Sequence, residues 1–362
     1  MAHYNKKFIT CLMTTACNLR CKYCITSSME RKNIHIDTDF VRAAMQEYFE
    51  KTRNFKVRFY SVGEPTQNIE GIKKVREIAC DLAGGEGVYF ELLTNGCFDD
   101  EVAEWIGNHI HRVWVSYDGP RDVCDQIRVT PEDTPSTGRI LKTVERLKDM
   151  TSVGIGLTVS LFNLRRQKEI IDEIHELGID CVISKAVLNP VGKTVDDIYA
   201  VDIIDYAREF VEAWRHAREL GVHYTNDLVF NFDGHSSFYC RACEPTPHLT
   251  PDGFVSSCDR AFSGDTPIQD LIYGKWDAQR KEIDYFPERM DNLRSRRVEN
   301  MEECSDCEIR YQCCGHCLGT TFQWTGDIFQ PIREYCPAIK FLYGEMKKDM
   351  RPGEFWPVEY TN

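Results

Sequence analysis

Three cysteines, Cys17, Cys21 and Cys24, lie in the run CNLRCKYC, spaced by three residues and then two. Three thiolates on one short loop can grip three irons of a cubane cluster, and with no fourth cysteine in register one metal position stays open, as a catalytic metal site requires. A zinc knuckle would need a fourth ligand close by, and Cys11 belongs to the apolar run before the loop. Eight further cysteines crowd the last third of the chain. Cys240 precedes Cys243, and from Cys243 to Cys258 the pattern is C-x9-G-x4-C, with Gly253 in PDGF as a hairpin turn. Cys304, Cys307, Cys313 and Cys317 read C-x2-C-x5-C-x3-C, and Cys336 stands alone further on. Thiolate-rich sites select zinc or iron–sulfur clusters, so a structural zinc ribbon is the competing reading of this array.

The elements that must hold these loops follow from the apolar pattern. Runs at Phe8–Met13, Val57–Val62, Val88–Leu93, Val113–Val115, Ile155–Leu161 and Cys181–Val187 are each followed by a longer amphipathic stretch, the first five of which are given next. Those stretches are Asp39–Lys51, Ile69–Leu82, Asp100–Ile106, Thr137–Lys148 and Arg166–Leu177. Strands alternating with helices imply a parallel α/β sheet with right-handed crossovers, and six units make a partial barrel with function at the strand C-termini. A longer helix at Ile203–Leu220 is expected to lead away from this unit. From about Asn226 turn residues, aromatics and cysteines take over, and a region so poor in aliphatic core should depend on metal sites for its fold. The expected division is 1–225 and 226–362, with a last helix from Ala338 to Met350.

The bulk numbers bound the class. Of 362 residues, 42% are hydrophobic and 28% charged, as in ordinary globular proteins. Seventeen cysteines without a secretory leader point to a thiol-reducing compartment, hence a cytoplasmic protein, and no apolar run is long enough for a membrane span. A net charge of −13 argues against a nucleic-acid partner. The short basic clusters ERK (Glu30 to Lys32) and RSRR (Arg294 to Arg297) read as solvated surface.

CxxxCxxC with an aromatic before its last cysteine, on the loop after the first strand of a half-open barrel, resembles the radical SAM superfamily. The resemblance implies a partial (β/α)6 TIM-like barrel whose cluster binds S-adenosylmethionine and cleaves it reductively to a 5′-deoxyadenosyl radical. It implies that Tyr23 lies beside the adenine. It implies that Gly63 and Glu64 of SVGEP, where the family commonly has GGEP, meet the methionine amino group. Thr94 and Asn95 of TNG follow the third strand. Ser116 and Asp118 of SYDGP follow the fourth, with Arg128 downstream, as positions for the ribose and carboxylate.

The second array resembles the SPASM extension of that superfamily. By resemblance Cys240, Cys243, Cys258 and Cys317 hold one auxiliary cluster and Cys304, Cys307, Cys313 and Cys336 the other, making three [4Fe–4S] clusters in all. Cys240 is the ligand whose place varies between relatives. Asp259, directly after Cys258, resembles the Cys-Asp pair of anaerobic sulfatase-maturing enzymes, which implies a base beside the cluster; an ordinary turn aspartate is the alternative. Cys97 and Cys124 fall after strand ends on the expected active-site rim, the place of a hydrogen-atom donor. Most of the remaining cysteines, Cys11, Cys80, Cys181 and Cys314, read as small buried hydrophobes, and His235, His248 and His316 as hydrogen-bonding neighbours of cysteines. The expected substrate is a peptide or protein, with a sugar or aminocyclitol small molecule as the alternative. Expected partners are a flavodoxin or ferredoxin and, for a peptide substrate, a separate leader-recognition protein.

Overall fold

A computed structural model describes residues 8–24, 33–188 and 198–355. Seven parallel strands form the central sheet: β1 (Ile9–Leu12), β2 (Lys56–Tyr60), β3 (Tyr89–Thr94), β4 (Arg112–Ser116), β5 (Ser152–Val159), β6 (Cys181–Ala186) and β7 (His223–Asn226). Between them run α1 (Thr38–Thr52), α2 (Ile69–Ala83), α3 (Asp100–His109), α4 (Arg121–Ile127), α5 (Thr137–Leu147), α6 (Gln167–Glu176) and α7 (Ile203–Leu220). Aspartates start several of these helices: Asp37 accepts from Asp39 N, Asp99 from Val102 N, and Asp202 from Ile204 N and Asp205 N. Among the described residues no helix is long and apolar enough to cross a membrane.

Period-two alternation sorts the strand residues. Val57, Phe59, Phe90, Leu92, Val113, Val115, Ile155 and Leu157 are buried in the layer shared with the helices. The opposite face carries a separate small cluster of Phe8, Trp114 and Cys181, packed by Leu93 and Ile183. On that inner face Arg58 and Glu91, directly opposed across β2 and β3, form an ion pair. Gly154 makes room for the Trp114 ring, since a Cβ there would lie 2.5 Å from it. One pleat further on, a Cβ at Gly156 would meet nothing within 4 Å, so the barrel is filled at mid-height and open at the strand C-termini.

The sheet does not stop at the barrel. After β8 (His248–Leu249), β9 (Phe254–Ser256), β10 (Ile272–Asp277) and β11 (Glu282–Tyr285) continue it, giving eleven strands in the order β11-β10-β9-β8-β1-β2-β3-β4-β5-β6-β7. β8 joins the free edge of β1 in parallel, and β8 and β9 form the antiparallel hairpin turned at Gly253 (φ +87°). Then follow α8 (Pro287–Ser295), α9 (Arg310–Cys313), α10 (Leu318–Thr325) and α11 (Cys336–Met346).

Two expectations need correction. α7 does not lead away: it packs between α6 and α11, and its chain returns as β7 to extend the parallel sheet. The RSRR cluster is not all solvated, for Arg296 is wholly buried. Its guanidinium donates to the carbonyls of Ile328 (2.9 Å), Cys314 (2.6 Å) and Gly315 (2.9 Å), tying together the turn that carries Cys313 and Cys317. The ERK cluster lies outside the described residues. Arg296→Ala would strand three buried carbonyls, so it is expected to destabilise the protein by about 3 kcal/mol or more. A lowered thermal unfolding midpoint by circular dichroism checks this, and an unchanged midpoint would count against the role given to Arg296.

Candidate active site

The loop after β1 is held at close quarters by the turn after β2. Thr14 N donates to Ser61 Oγ (3.2 Å), and the Ser61 hydroxyl donates back to the Thr14 carbonyl. Glu64 N donates to the Ala16 carbonyl at 2.7 Å. A Cβ on Gly63 would sit 1.9 Å from that same carbonyl oxygen, so only glycine allows the approach.

Glu64 is buried, and its carboxylate serves as a strut. Oε1 accepts from Thr66 N (3.1 Å), Thr66 Oγ1 (2.8 Å) and Thr94 Oγ1 (2.7 Å), while Oε2 accepts from Asn95 N (2.6 Å). Burial pushes its pKa up, and these four donors work against that shift. The Asn95 side chain then reaches the cysteine loop: Nδ2 donates to Asn18 Oδ1 at 2.8 Å and lies 4.0 Å from Cys17 Sγ. Thr94 and Asn95 thus couple the end of β3 to the first cysteines through Glu64.

The far side of the loop is held by a segment that apolar patterning did not reveal. α4 is only seven residues long, too short for a periodic signal, yet its C-terminal end pairs with the cysteine loop. Lys22 N donates to Ile127 O (2.9 Å) and Arg20 N to Val129 O (2.7 Å). Arg128 follows, and its Nη1 donates to the Tyr23 hydroxyl (2.5 Å) and to Asp118 Oδ2 (3.1 Å), while Tyr23 donates to the same Asp118 oxygen (2.5 Å). The other Asp118 oxygen accepts from Thr158 N at 2.8 Å. Tyr23, Asp118 and Arg128 therefore form one buried hydrogen-bonded triad between the loop, β4 and β5. Ser116 ends β4 directly opposite Gly156, beside the open space at the top of the barrel.

The rim placement of Cys97 and Cys124 is corrected. Cys97 packs in the hydrophobic core, and Cys124 faces inward from α4 with no exposed surface. Burial pushes both thiols up to about 11.

In the C-terminal region the structure brings the cysteines together in two sets. Cys240 is half-buried and has Cys243, Cys317 and Cys258 near it, and Cys258 likewise has Cys317 near it. Cys313 has Cys304, Cys336 and Cys307 around it. Cys314 belongs to neither set: it is fully buried, with its thiol donating to the Ser236 carbonyl at 3.2 Å. Among the described residues no three His, Cys, Asp or Glu side chains converge as one bare metal ion would need.

Asp259 stands between the two ends of the chain. Burial would raise its pKa, but the positive charges of Lys185 and Arg260 outweigh that and hold the carboxyl below the usual carboxylate range. Tyr60, last residue of β2 and on the inner face with Arg58, has both Asp259 and the first-loop Cys24 among its charged neighbours, together with Cys258. Tyr60, Lys185 and Arg260 were not singled out in the sequence. A lysine near the end of an otherwise apolar β6 is the one signal that was there to find.

A half-barrel that spends its strand ends on holding a CxxxCxxC loop is the mark of an enzyme that works at that loop. The chain belongs to the Radical SAM superfamily, whose family model matches residues 11–207. Membership implies a [4Fe–4S] cluster and S-adenosylmethionine, and the donor set fits them: three thiols on one loop, with Arg128 near Cys21 to offset the burial that raises its pKa. The chain is 23% identical to the radical SAM cyclopropyl synthase TigE of Paramaledivibacter caminithermalis, covering 93% of this chain and 73% of TigE. It is 24% identical to the tungsten-containing aldehyde ferredoxin oxidoreductase cofactor-modifying protein of Pyrococcus furiosus, over 55% of this chain and 56% of that one. In fold it is similar to anSMEcpe with bound AdoMet (TM-score 0.75, 17% identity, 94% of this chain and 97% of that chain). It is similar also to Streptococcus suis SuiB bound to precursor peptide SuiA (TM-score 0.66, 16% identity, 91% and 76%).

Two measurements follow from this geometry. Gly63→Ala must displace the cysteine loop, so the reconstituted variant should bind less iron and cleave S-adenosylmethionine about 100-fold more slowly; wild-type behaviour would refute the close approach. Because thiolate content rises with pH toward the thiol pKa, Cys97 and Cys124 should resist alkylation in the native protein at pH 8, where about one thiol in a thousand is ionised. Peptide mass spectrometry reads this directly.

Proposed function

We propose that this chain is a three-cluster radical SAM enzyme that modifies a peptide or protein, with residues 1–225 as the SAM-binding unit and 226–362 as the auxiliary-cluster unit. The observation that carries it is the gathering of eight C-terminal cysteines into two sets of four, with Asp259 beside one of them and close to Tyr60, itself near Cys24. In this reading Cys17, Cys21 and Cys24 hold the first cluster, Cys240, Cys243, Cys258 and Cys317 the second, and Cys304, Cys307, Cys313 and Cys336 the third. Cluster-bound S-adenosylmethionine supplies, when present, the radical that takes a hydrogen atom from substrate.

The chain's own residues do the rest. Glu64, Thr94 and Asn95 hold the cysteine loop on one side and the triad of Tyr23, Asp118 and Arg128 on the other, and Ser116 borders the space above Gly156. In this reading Asp259 accepts the proton that the substrate's hydroxyl, thiol or amine gives up when the substrate radical is oxidised. A peptide is favoured by an apolar patch at the same end of the barrel: Leu161 (52% exposed) and Phe162 (41%) after β5 lie beside Tyr199, next to Ile198 (54%). The peptides carried by anSMEcpe and SuiB in their solved forms agree with it. A small-molecule dehydrogenase or epimerase is the second reading, favoured by the cofactor-modifying relative from Pyrococcus furiosus. A flavodoxin or ferredoxin is the proposed electron donor, with a separate leader-recognition protein for a peptide substrate.

Anaerobic reconstitution tests the core of this. About twelve irons per chain are expected for three cubane clusters, and about four would defeat the auxiliary-cluster reading. With a candidate peptide encoded beside the gene, Asp259→Asn should still release 5′-deoxyadenosine while product falls by about 100-fold or more. Mass spectrometry of the peptide distinguishes this from undiminished modification, which would remove Asp259 from the chemistry.

A further inference from the structure

Native proteins satisfy nearly all of their buried hydrogen-bonding groups. Here several buried polar atoms without a partner stand along the cysteine set 240/243/258/317: Ser257 Oγ, both ring nitrogens of His316, and Thr320 Oγ1. Ser257 directly precedes Cys258, His316 directly precedes Cys317, and Thr320 lies three residues past it on α10. His316 is the largest of them and the most confined. It is 3% exposed, its ring lies 5.3 Å from that of Tyr239 and 5.4 Å from that of Tyr335, and the Tyr335 phenol has Cys317 near it.

The backbone is bent to put it there. Cys314 (φ 54°), Gly315 (φ 68°) and His316 (φ 64°) are three consecutive left-handed residues. Such a conformation costs energy in non-glycine residues and persists only where the surroundings impose it. The Arg296 guanidinium does so by holding the Cys314 and Gly315 carbonyls. An imidazole in any protonation state carries at least one N–H, and leaving that donor buried and unpaired costs about 1–3 kcal/mol. A sulfur acceptor beside Cys317 removes that cost.

We infer that His316 donates a ring N–H to a sulfur of the iron–sulfur cluster held by Cys240, Cys243, Cys258 and Cys317, and thereby raises that cluster's reduction potential. The inference rests on the auxiliary-cluster reading above. Hydrogen bonds to cluster sulfurs favour the reduced, more negative state, which is why they are among the determinants of potential. His316 is in this sense a positioning and tuning residue, which touches the cluster and not the substrate.

The test uses the full chain carrying Cys17→Ala, Cys21→Ala and Cys24→Ala, reconstituted anaerobically, so that the auxiliary signals stand alone at about eight irons per chain. In an EPR-monitored redox titration, His316→Phe should lower one of the two auxiliary transitions and leave the other in place. The expected effect is a reduced-to-oxidised ratio about tenfold lower at fixed potential, a shift of about 59 mV for a one-electron couple. His316→Asn, which keeps an N–H and tolerates the left-handed backbone, should return the transition toward the parent value. Two unmoved transitions, equal movement of both, or an asparagine variant no different from phenylalanine would each overturn the inference. So would loss of iron from both variants, since the imidazole would then be a strut of the loop. A parent protein with four irons or fewer would instead bring down the auxiliary-cluster reading, and the inference with it.

Discussion

The rest of this structure depends on β1 being paired in parallel on both edges. On one side β2 delivers the turn that grips the cysteine loop, and on the other β8 brings in the C-terminal region. A side chain locks the second pairing. Arg241 donates to Phe8 O (3.1 Å), to Thr10 Oγ1 (3.1 Å) and to His248 Nε2 (3.1 Å), while His248 Nδ1 donates to Thr246 O (3.0 Å). Burial pushes Arg241 down to about 10 and His248 to about 3, so near neutrality the first is charged and the second neutral, which is the pairing these bonds need. Because Arg241 lies between Cys240 and Cys243, the anchoring of the strand edge and the placing of those thiols are one event.

Several charges in the interior tie a loop or a strand pair. Arg58 with Glu91 braces the inner face, Glu64 joins two turns, and Asp118 with Arg128 and Tyr23 joins the cysteine loop to β4 and β5. Glu64 and Asp118 each accept from several donors, as the cost of desolvation demands. The polar groups that hold the cysteine loop are therefore also what keeps the barrel's upper layer in one arrangement.

Much of this was legible in the residue pattern, and the failures have physical causes. The strands β1 to β6 and their long helices follow from apolar periodicity, and α7 was read to the residue. Its direction was not, because a periodic stripe says that a face is buried without saying against what. α4 and β7 escaped because a seven-residue helix and a four-residue strand carry too few repeats to register. Arg296 was misread for a different reason: a run of three arginines and a serine looks solvated, and only the fold shows three carbonyls waiting for one of them. Cys97 and Cys124 do follow strand ends, but the chain turns inward there and buries them. The division of the C-terminal cysteines into two sets came from the family resemblance and not from their spacing, and Tyr60, Lys185 and Arg260 meet Asp259 only through the closure of the sheet.

The two C-terminal thiol sets are interleaved along the chain. Cys240, Cys243 and Cys258 wait for Cys317, which follows three members of the other set, and that set waits for Cys336 at the first turn of α11. In the proposed assignment each set is thus completed by a residue far along the chain from its first members, Cys317 for the one and Cys336 for the other. In that assignment a variant cut before α11 would lack the fourth thiol of the set around Cys313, however well its barrel had folded.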